Sequence, residues 1–313
     1  MADGNWERET IEKLAFAALR EQRNSRRWGI FFKLLTFAYI TVIVVLAVDW
    51  KTKGEVVGDG KHTALVEVNG IILPGTDASA EKIISALQSA FKDKNTLGVV
   101  VRINSPGGSP VQAQLIYDEM KRLRAKYAGI PLYAVVEDLC ASGGYFVAVG
   151  ADRIYVNRSS LVGSIGVRMD GCGVTGLMEK IGVERRLMTA GENKGFLDPF
   201  LPVDEKQKQH AQVMLDDIHR QFISVVREGR GNRLKETPGM FSGLIWTGQK
   251  SVDIGLADSF GSLDFVAREV IKAEDIVDFT QKENLAEKVA RRFGVGMASA
   301  LAEVLARQAP GLR

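Results

Sequence analysis

The sequence predicts an α/β domain built on a parallel sheet, and three observations carry that prediction. Strand-like and helix-like patterns alternate from Thr63 onward, the βαβ order that right-handed crossovers produce. A strand, a glycine turn and a helix occur in that order twice, once around Pro106-Gly107-Gly108 and again around Ser142-Gly143-Gly144. The run Leu97–Ile103 is apolar except for Arg102, the signature of a strand covered on both faces.

Before that domain, residues 1–28 are polar and charged apart from a short helical patch at Leu14–Leu19. Gly29–Val48 is then apolar for about 20 residues, broken only by Lys33, Thr36 and Thr41, which is enough for a helix to cross a bilayer core. Lys33 lies near the start, where its ammonium can snorkel to the headgroups. No small-x-small cleavage site follows Val48, so an uncleaved anchor is expected over a signal peptide. Arg23, Arg26, Arg27 and Lys33 crowd the N-terminal flank against Lys51 and Lys53 beyond it, placing the N-terminus in the cytoplasm and the main domain outside it. The expected organisation is a cytoplasmic segment 1–28, a transmembrane anchor 29–49, a linker 50–62, a globular domain 63–280 and an amphipathic tail 281–313.

Within the domain, Ala64–Val68 reads as a strand and Ala80–Phe91 as a helix, since Ile83, Ile84, Leu87, Ala90 and Phe91 share a face. After the Leu97–Ile103 strand and the turn 104–110, Leu115, Ile116, Met120 and Leu123 mark the inner side of a helix ending near Ala125. The apolar run Pro131–Val136 leads toward Ser142, where a helix starts. Short strands are expected at Arg153–Val156, Leu161–Val167 and Leu187–Ala190. A long amphipathic helix covers Val203–Glu228, with Ala211, Met214, Leu215, Ile218, Phe222, Val225 and Val226 as its buried stripe. Leu244–Gly248 and Gly255–Asp258 read as a strand, turn and short helix, and Leu263–Ala273 as a last helix. From Asn284 the tail carries Leu285, Val289, Phe293, Met297 and Leu301 at four-residue spacing, an amphipathic pattern that suits a packing helix before a membrane-surface role.

Composition excludes several classes of function. The net charge is +3 and the basic residues are dispersed, which disfavours nucleic acid as a partner. Cys140 and Cys172 make no disulfide framework, and His62, His210 and His219 are too scattered for a zinc site, so neither a metal nor a cofactor is expected.

Ser142 is the first candidate for chemistry, because a short nucleophilic side chain on a strand-to-helix turn stands clear of the sheet beside backbone N–H groups. Read locally, it is equally a helix cap. Two glycine turns change that balance. Amides from Gly107 or Gly108 and from Gly143 can converge on one carbonyl oxygen as an oxyanion hole, whereas a phosphate cradle would need a G-x-x-x-x-G-K-[ST] pattern that is absent. The three histidines supply a Ser–His–Asp triad poorly, which leaves a Ser–Lys pair as the alternative, with Lys194 in its Gly-bounded loop as the candidate base. Cys140 is a rival thiol two positions before the serine, with nothing nearby to lower its pKa.

Four ordered motifs then stand out: Asn104-Ser105-Pro106-Gly107-Gly108, Ala141-Ser142-Gly143-Gly144-Tyr145, Val162-Gly163-Ser164-Ile165-Gly166-Val167, and Trp246-Thr247-Gly248 followed by Gly255-Leu256-Ala257-Asp258. With them, over about Ala64–Ala273 and including the anchor, the chain resembles the signal peptide peptidases of the serine protease group called protease IV, in their short single-domain form. The resemblance implies a Clp protease/crotonase-like fold, Ser142 as nucleophile, Lys194 as general base, Ser164 orienting the lysine amine, and Gly108 and Gly143 as the oxyanion hole. It also implies a ring-like homo-oligomer in which neighbouring protomers share the dyad, hydrophobic remnant signal peptides as substrates, and a place in the bacterial plasma membrane with the catalytic domain outside the cytoplasm. A crotonase-type acyl-thioester enzyme and an inactive membrane scaffold of the same fold are the competing readings.

Overall fold

The computed structural model describes residues 4–52 and 60–281. The chain divides into an N-terminal helical unit and a second unit spanning Gly58–Asn284. In the first, helix α1 runs unbroken over Gly4–Thr52. Thr36 and Thr41 each donate their hydroxyl to the carbonyl four residues back, at 2.8 Å, so neither leaves an unpaired polar group on the apolar stretch. Among the described residues no helix is both long and apolar enough to cross a membrane. The last third of the expected anchor, 43–49, lies outside the described side chains, as do the linker segment 53–59 and the tail from 282.

The second unit contains β1 (His62–Asn69), α2 (Ala80–Lys92), β2 (Thr96–Ser105), α3 (Pro110–Lys126), β3 (Leu132–Ala141), α4 (Gly143–Ala148), β4 (Arg153–Val156) and β5 (Leu161–Gly163). It continues through α5 (Thr175–Ile181), α6 (Glu205–Arg230), β6 (Ile245–Thr247), α7 (Gly248–Asp253) and β7 (Ser259–Phe260). A helical turn α8 (Leu263–Phe265) passes into a π turn Val266–Ile271, and β8 (Ile276–Asp278) closes the domain. The sheet order is β6-β5-β3-β2-β1-β8, with β4 set between β3 and β7, and every pair is parallel except β5 with β6.

Both faces of the central strands are covered, which is why they read as continuous apolar runs. On one side Val99, Val101 and Ile103 join Ile83 and Leu87 of α2 and Ile116 and Met120 of α3 in the main core. On the other, Val100, Val135 and Tyr155 lie under Val266 and Ile271.

Strand β3 forks. Its first half, Tyr133–Val135, pairs with β4, and its second, Leu139–Ala141, pairs with β5. Between the halves the ladder to β2 jumps from Ile103↔Val136 to Ser105↔Cys140, two steps along β2 against four along β3. Extra residues of this kind form a bulge that bends a strand, and here the bend swings the Ser142 end away from β4.

Behind the fork, Arg230 at the end of α6 is 1% exposed and grips both oxygens of Asp258 at 2.8 Å, with its Nε on the Gly255 carbonyl at 2.8 Å. Burial alone would raise the Asp258 carboxyl, but Arg230, the Ile154 amide and Arg233 outweigh it and hold the group below its ordinary value. The Tyr145 hydroxyl, fully buried, donates to the Leu256 carbonyl at 2.8 Å, and so ties α4 to the same loop.

Several expectations need correction. Leu187–Ala190 is not a strand: Met188 is 94% exposed and no neighbouring strand pairs with the segment. The strand expected over Leu161–Val167 stops at Gly163, because Ser164 takes φ 51° and turns the chain out of the sheet. His62 belongs to β1 and not to a linker; it is fully buried, with its ring stacked on Phe279. Helix α5 and strands β7 and β8 are additional to the expected elements. Cys140 is buried and Cys172 exposed, and both are free thiols.

Candidate active site

The nucleophile candidate and its surroundings are built by the ends of three neighbouring strands, β2, β3 and β5. Strand β2 ends at Ser105, whose fully buried hydroxyl donates to the Gly70 carbonyl at 2.6 Å and accepts from the Gly107 amide at 3.1 Å. That folds Pro106-Gly107-Gly108 back on itself, and the turn is fixed from outside by Ile72, which donates to the Gly107 carbonyl and accepts from the Ser109 amide. Ser109 then caps α3, accepting from the Gln112 amide at 3.4 Å.

Strand β3 ends at Ala141, and Ser142 adopts φ 52°, ψ −123°, a conformation that a residue with a side chain adopts at a cost of about 1–3 kcal/mol and that persists only when its surroundings enforce it. Such a turn lifts a nucleophilic side chain off the end of a strand. Ser142 makes no capping bond from its side chain, so the helix-cap reading is not what the structure shows. Its amide donates to the Gly163 carbonyl at 2.8 Å. Gly144, next along, lies so close to β2 that a Cβ there would fall 3.0 Å from the Ser105 carbonyl oxygen.

Strand β5 ends in register with β3, Ala141 opposite Gly163, so Ser142 and Ser164 leave the sheet side by side. Both have positive φ, and the Ser164 amide donates to the Leu244 carbonyl at 2.8 Å.

The two glycine turns touch. A Cβ on Gly107 would lie 2.8 Å from the Ser142 Cβ and 2.5 Å from the Gly143 nitrogen, and one on Gly143 would lie 3.2 Å from the Gly108 nitrogen. Among the described residues neither the Gly108 nor the Gly143 amide has a backbone acceptor. Two unengaged N–H groups beside one hydroxyl are the parts of an oxyanion hole and its nucleophile, and each such donor is worth about 3–4 kcal/mol to a developing oxyanion. Cys140, two residues before the serine, is fully buried and its thiol is pushed far up by that burial, which removes it as a rival nucleophile.

Ser142, Ser164, Gly108 and Gly143 thus come together, whereas Lys194 does not join them. Its side chain is exposed and makes no hydrogen bond or ion pair among the described residues, and its amide bonds only to the Gly191 carbonyl at 3.1 Å. The surrounding segment is held by local contacts: Val174 to Pro199, Arg185 to Asp198, and the Leu197 amide to Gln207 of α6. It leaves Leu177, Ile181, Val183, Met188 and Phe200 exposed. No cluster of potential metal ligands occurs among the described residues.

Sequence reasoning missed Ser105 and Trp246 as parts of this site. Ser105 had a local signal, a hydroxyl two residues before a glycine in the pattern of a side-chain-closed turn. Trp246 stood out only as the start of a motif, because its contact with the β5 turn depends on antiparallel pairing of β6 with β5, Val162 opposite Trp246, 84 positions apart (246 − 162).

Residues 124–277 match the family model described as Peptidase family S49, and residues 61–164 match the one described as Clp protease. The chain is 30% identical over 240 residues to a putative protease, MJ0651, of Methanocaldococcus jannaschii, covering 75% of this chain and 76% of that one. It is 28% identical over 228 residues to the putative signal peptide peptidase SppA of Enterococcus faecium, covering 70% and 66%. It is also 41% identical over 204 residues to a Brucella melitensis protein named Na(+)/H(+) antiporter NhaA; that match covers 64% of this chain and 28% of the much longer Brucella protein.

Proposed function

Because this chain belongs to peptidase family S49, we propose that it is a serine endopeptidase that works through Ser142 and Lys194 and acts on hydrophobic peptides such as remnant signal peptides. The observation that carries the reading is the meeting of the strained Ser142 with the unengaged amides of Gly108 and Gly143. The Ser142 Oγ attacks the peptide carbonyl, and the two amides hold the oxygen as it becomes negative. A neutral Lys194 amine, oriented by the Ser164 hydroxyl, takes the serine proton and returns it to the leaving amine; water then hydrolyses the acyl-enzyme.

An exposed Lys194 without a side-chain partner among the described residues favours a dyad completed by Lys194 of the partner subunit, in a ring-like oligomer. The exposed apolar side chains of the same segment suit that assembly. Apolar side chains also lie near the oxyanion turn in sequence, where Ile71, Leu73 and Val111 are exposed on the segments flanking the Ile72–Gly108 bridge, and these suit a hydrophobic substrate; Leu115, expected on the inner side of α3, is exposed as well. A membrane anchor at 29–49, with its N-terminus in the cytoplasm of a bacterial cell, is supported by the apolar run, by Arg26 and Arg27 before it, and by Trp28 packed on Phe31 and Phe32 at its head.

The test is cleavage of a fluorogenic signal-like peptide by the full chain in detergent. Ser142→Ala and Lys194→Ala should each lose activity by about 10³-fold or more, and mixing the two inactive variants should restore part of it. Full activity in Ser142→Ala would overturn the peptidase reading, unchanged activity in Lys194→Ala the dyad, and failure of the mixture to recover the sharing between subunits.

A further inference from the structure

The Gly163 carbonyl is the acceptor for the Ser142 amide, so whatever holds Gly163 also holds the nucleophile's turn. Two things hold it. One is the β5–β6 ladder, in which Gly163 pairs with Ile245 and the next residue, Ser164, donates to Leu244. The other is Trp246. The bare Cα of Gly163 lies so close to its indole that a Cβ there would fall 3.0 Å from Cδ1 and 3.7 Å from Nε1. Gly163 itself has φ 112°, a conformation that leaves its carbonyl free to swing unless something packs against the residue.

Among the described residues the buried indole N–H has no hydrogen-bond partner, an uncommon state for a buried donor, so it is not a polar contact that keeps the ring in place. What keeps it is shape: Val162 opposite it on β5, the main core on which it packs, and the hollow left by the missing Gly163 side chain. The ring can therefore transmit a position without taking part in the chemistry.

We propose that Trp246 is a positioning residue for the nucleophile: its indole, seated on Gly163, fixes the one carbonyl that accepts from the Ser142 amide and so sets the angle at which Ser142 meets the amides of Gly108 and Gly143. This rests on the reading of Ser142 as a peptidase nucleophile. A flat ring is what the contact needs, and the N–H is dispensable. Trp246→Phe keeps the first and removes the second, whereas Trp246→Leu and Trp246→Ala lose the flat surface.

The experiment uses the full chain in detergent with a fluorophosphonate probe, which phosphonylates an activated serine with loss of fluoride, alongside steady-state peptide cleavage and thermal unfolding. Trp246→Phe should be labelled within about threefold of the wild-type rate, Trp246→Leu more slowly, and Trp246→Ala at least tenfold more slowly. The loss should appear in kcat with KM little changed, because the ring orients the serine and does not contact substrate. A second readout does not depend on the larger truncations folding. Trp246 is the one tryptophan beyond residue 50, the others being Trp6, Trp28 and Trp50, so its emission is obtained as the difference between wild type and Trp246→Phe. That difference should shift when Ser142 is phosphonylated and stay fixed in Ser142→Ala. Wild-type labelling rate in Trp246→Ala, or a Trp246 emission unmoved by phosphonylation, would overturn the positioning role and leave the peptidase intact. Absence of labelling at Ser142 in the wild type would remove the peptidase reading and this inference with it.

Discussion

Replacing Gly107 with alanine should disable the site while leaving most of the fold standing. The new methyl would sit 2.5 Å from the Gly143 nitrogen and 2.8 Å from both the Ala141 oxygen and the Ser142 Cβ. Ordinary contact between such atoms is about 3.5 Å, so the two glycine turns must part by roughly 1 Å. The backbone cannot relieve this by rotation, since Gly107 has φ 94° and an alanine held at positive φ already costs about 1–2 kcal/mol. A misplacement of about 1 Å in a catalytic constellation costs on the order of 100-fold. The Gly107→Ala variant should therefore lose about 100-fold in kcat/KM on a fluorogenic peptide, with its melting temperature lowered by roughly 2–10 °C, as a loss of about 1–3 kcal/mol gives in a domain of this size. Gly129→Ala, where a Cβ meets nothing within 4 Å, is the control and should change neither quantity appreciably. A Gly107→Ala enzyme within about threefold of wild type would refute the claim that contact between these turns forms the oxyanion hole.

Other consequences concern stability. Asp258 has its carboxyl held below the ordinary value of about 3.9, so its contribution is complete above that value and is lost as the pH falls through it toward the folded-state value. Acid unfolding followed by circular dichroism should show this loss in the wild type and not in Asp258→Asn, which should itself be less stable near neutrality by about 3–5 kcal/mol, because Arg230 is left buried and unpaired. Tyr145→Phe removes the bond to the Leu256 carbonyl and should cost about 1–2 kcal/mol in denaturant unfolding. An unchanged midpoint would mean that the Leu256 carbonyl finds another donor.

The layout of the domain is legible in the sequence wherever a local rule governs it. The apolar run Leu97–Ile103 is a doubly covered central strand, and the stripe Ile83, Leu87, Ala90, Phe91 is the buried face of α2. Ser142 is identifiable because its turn is announced by adjacent glycines. The register that sets Ser164 beside it is a pairing of distant segments with no local trace, and the motif resemblance alone pointed to that residue. The expected strand Leu187–Ala190 failed for a related reason. Its apolar residues meet the pattern for burial, but among the described residues nothing covers Met188, and an apolar pattern cannot say whether the surface that covers it belongs to the same molecule.

The fork in β3 divides the strand into two blocks of protection. Tyr133–Val135 exchange hydrogen bonds with β4, Leu139–Ala141 with β5, and the ladder to β2 is interrupted between them. Opening of one block need not open the other, so amide exchange along a single strand should report two separate cooperative units. Ligand bound at Ser142 would then slow deuterium uptake at the far end of β3 while its first half keeps the rate of the resting sheet, which makes this strand an internal reference for occupancy.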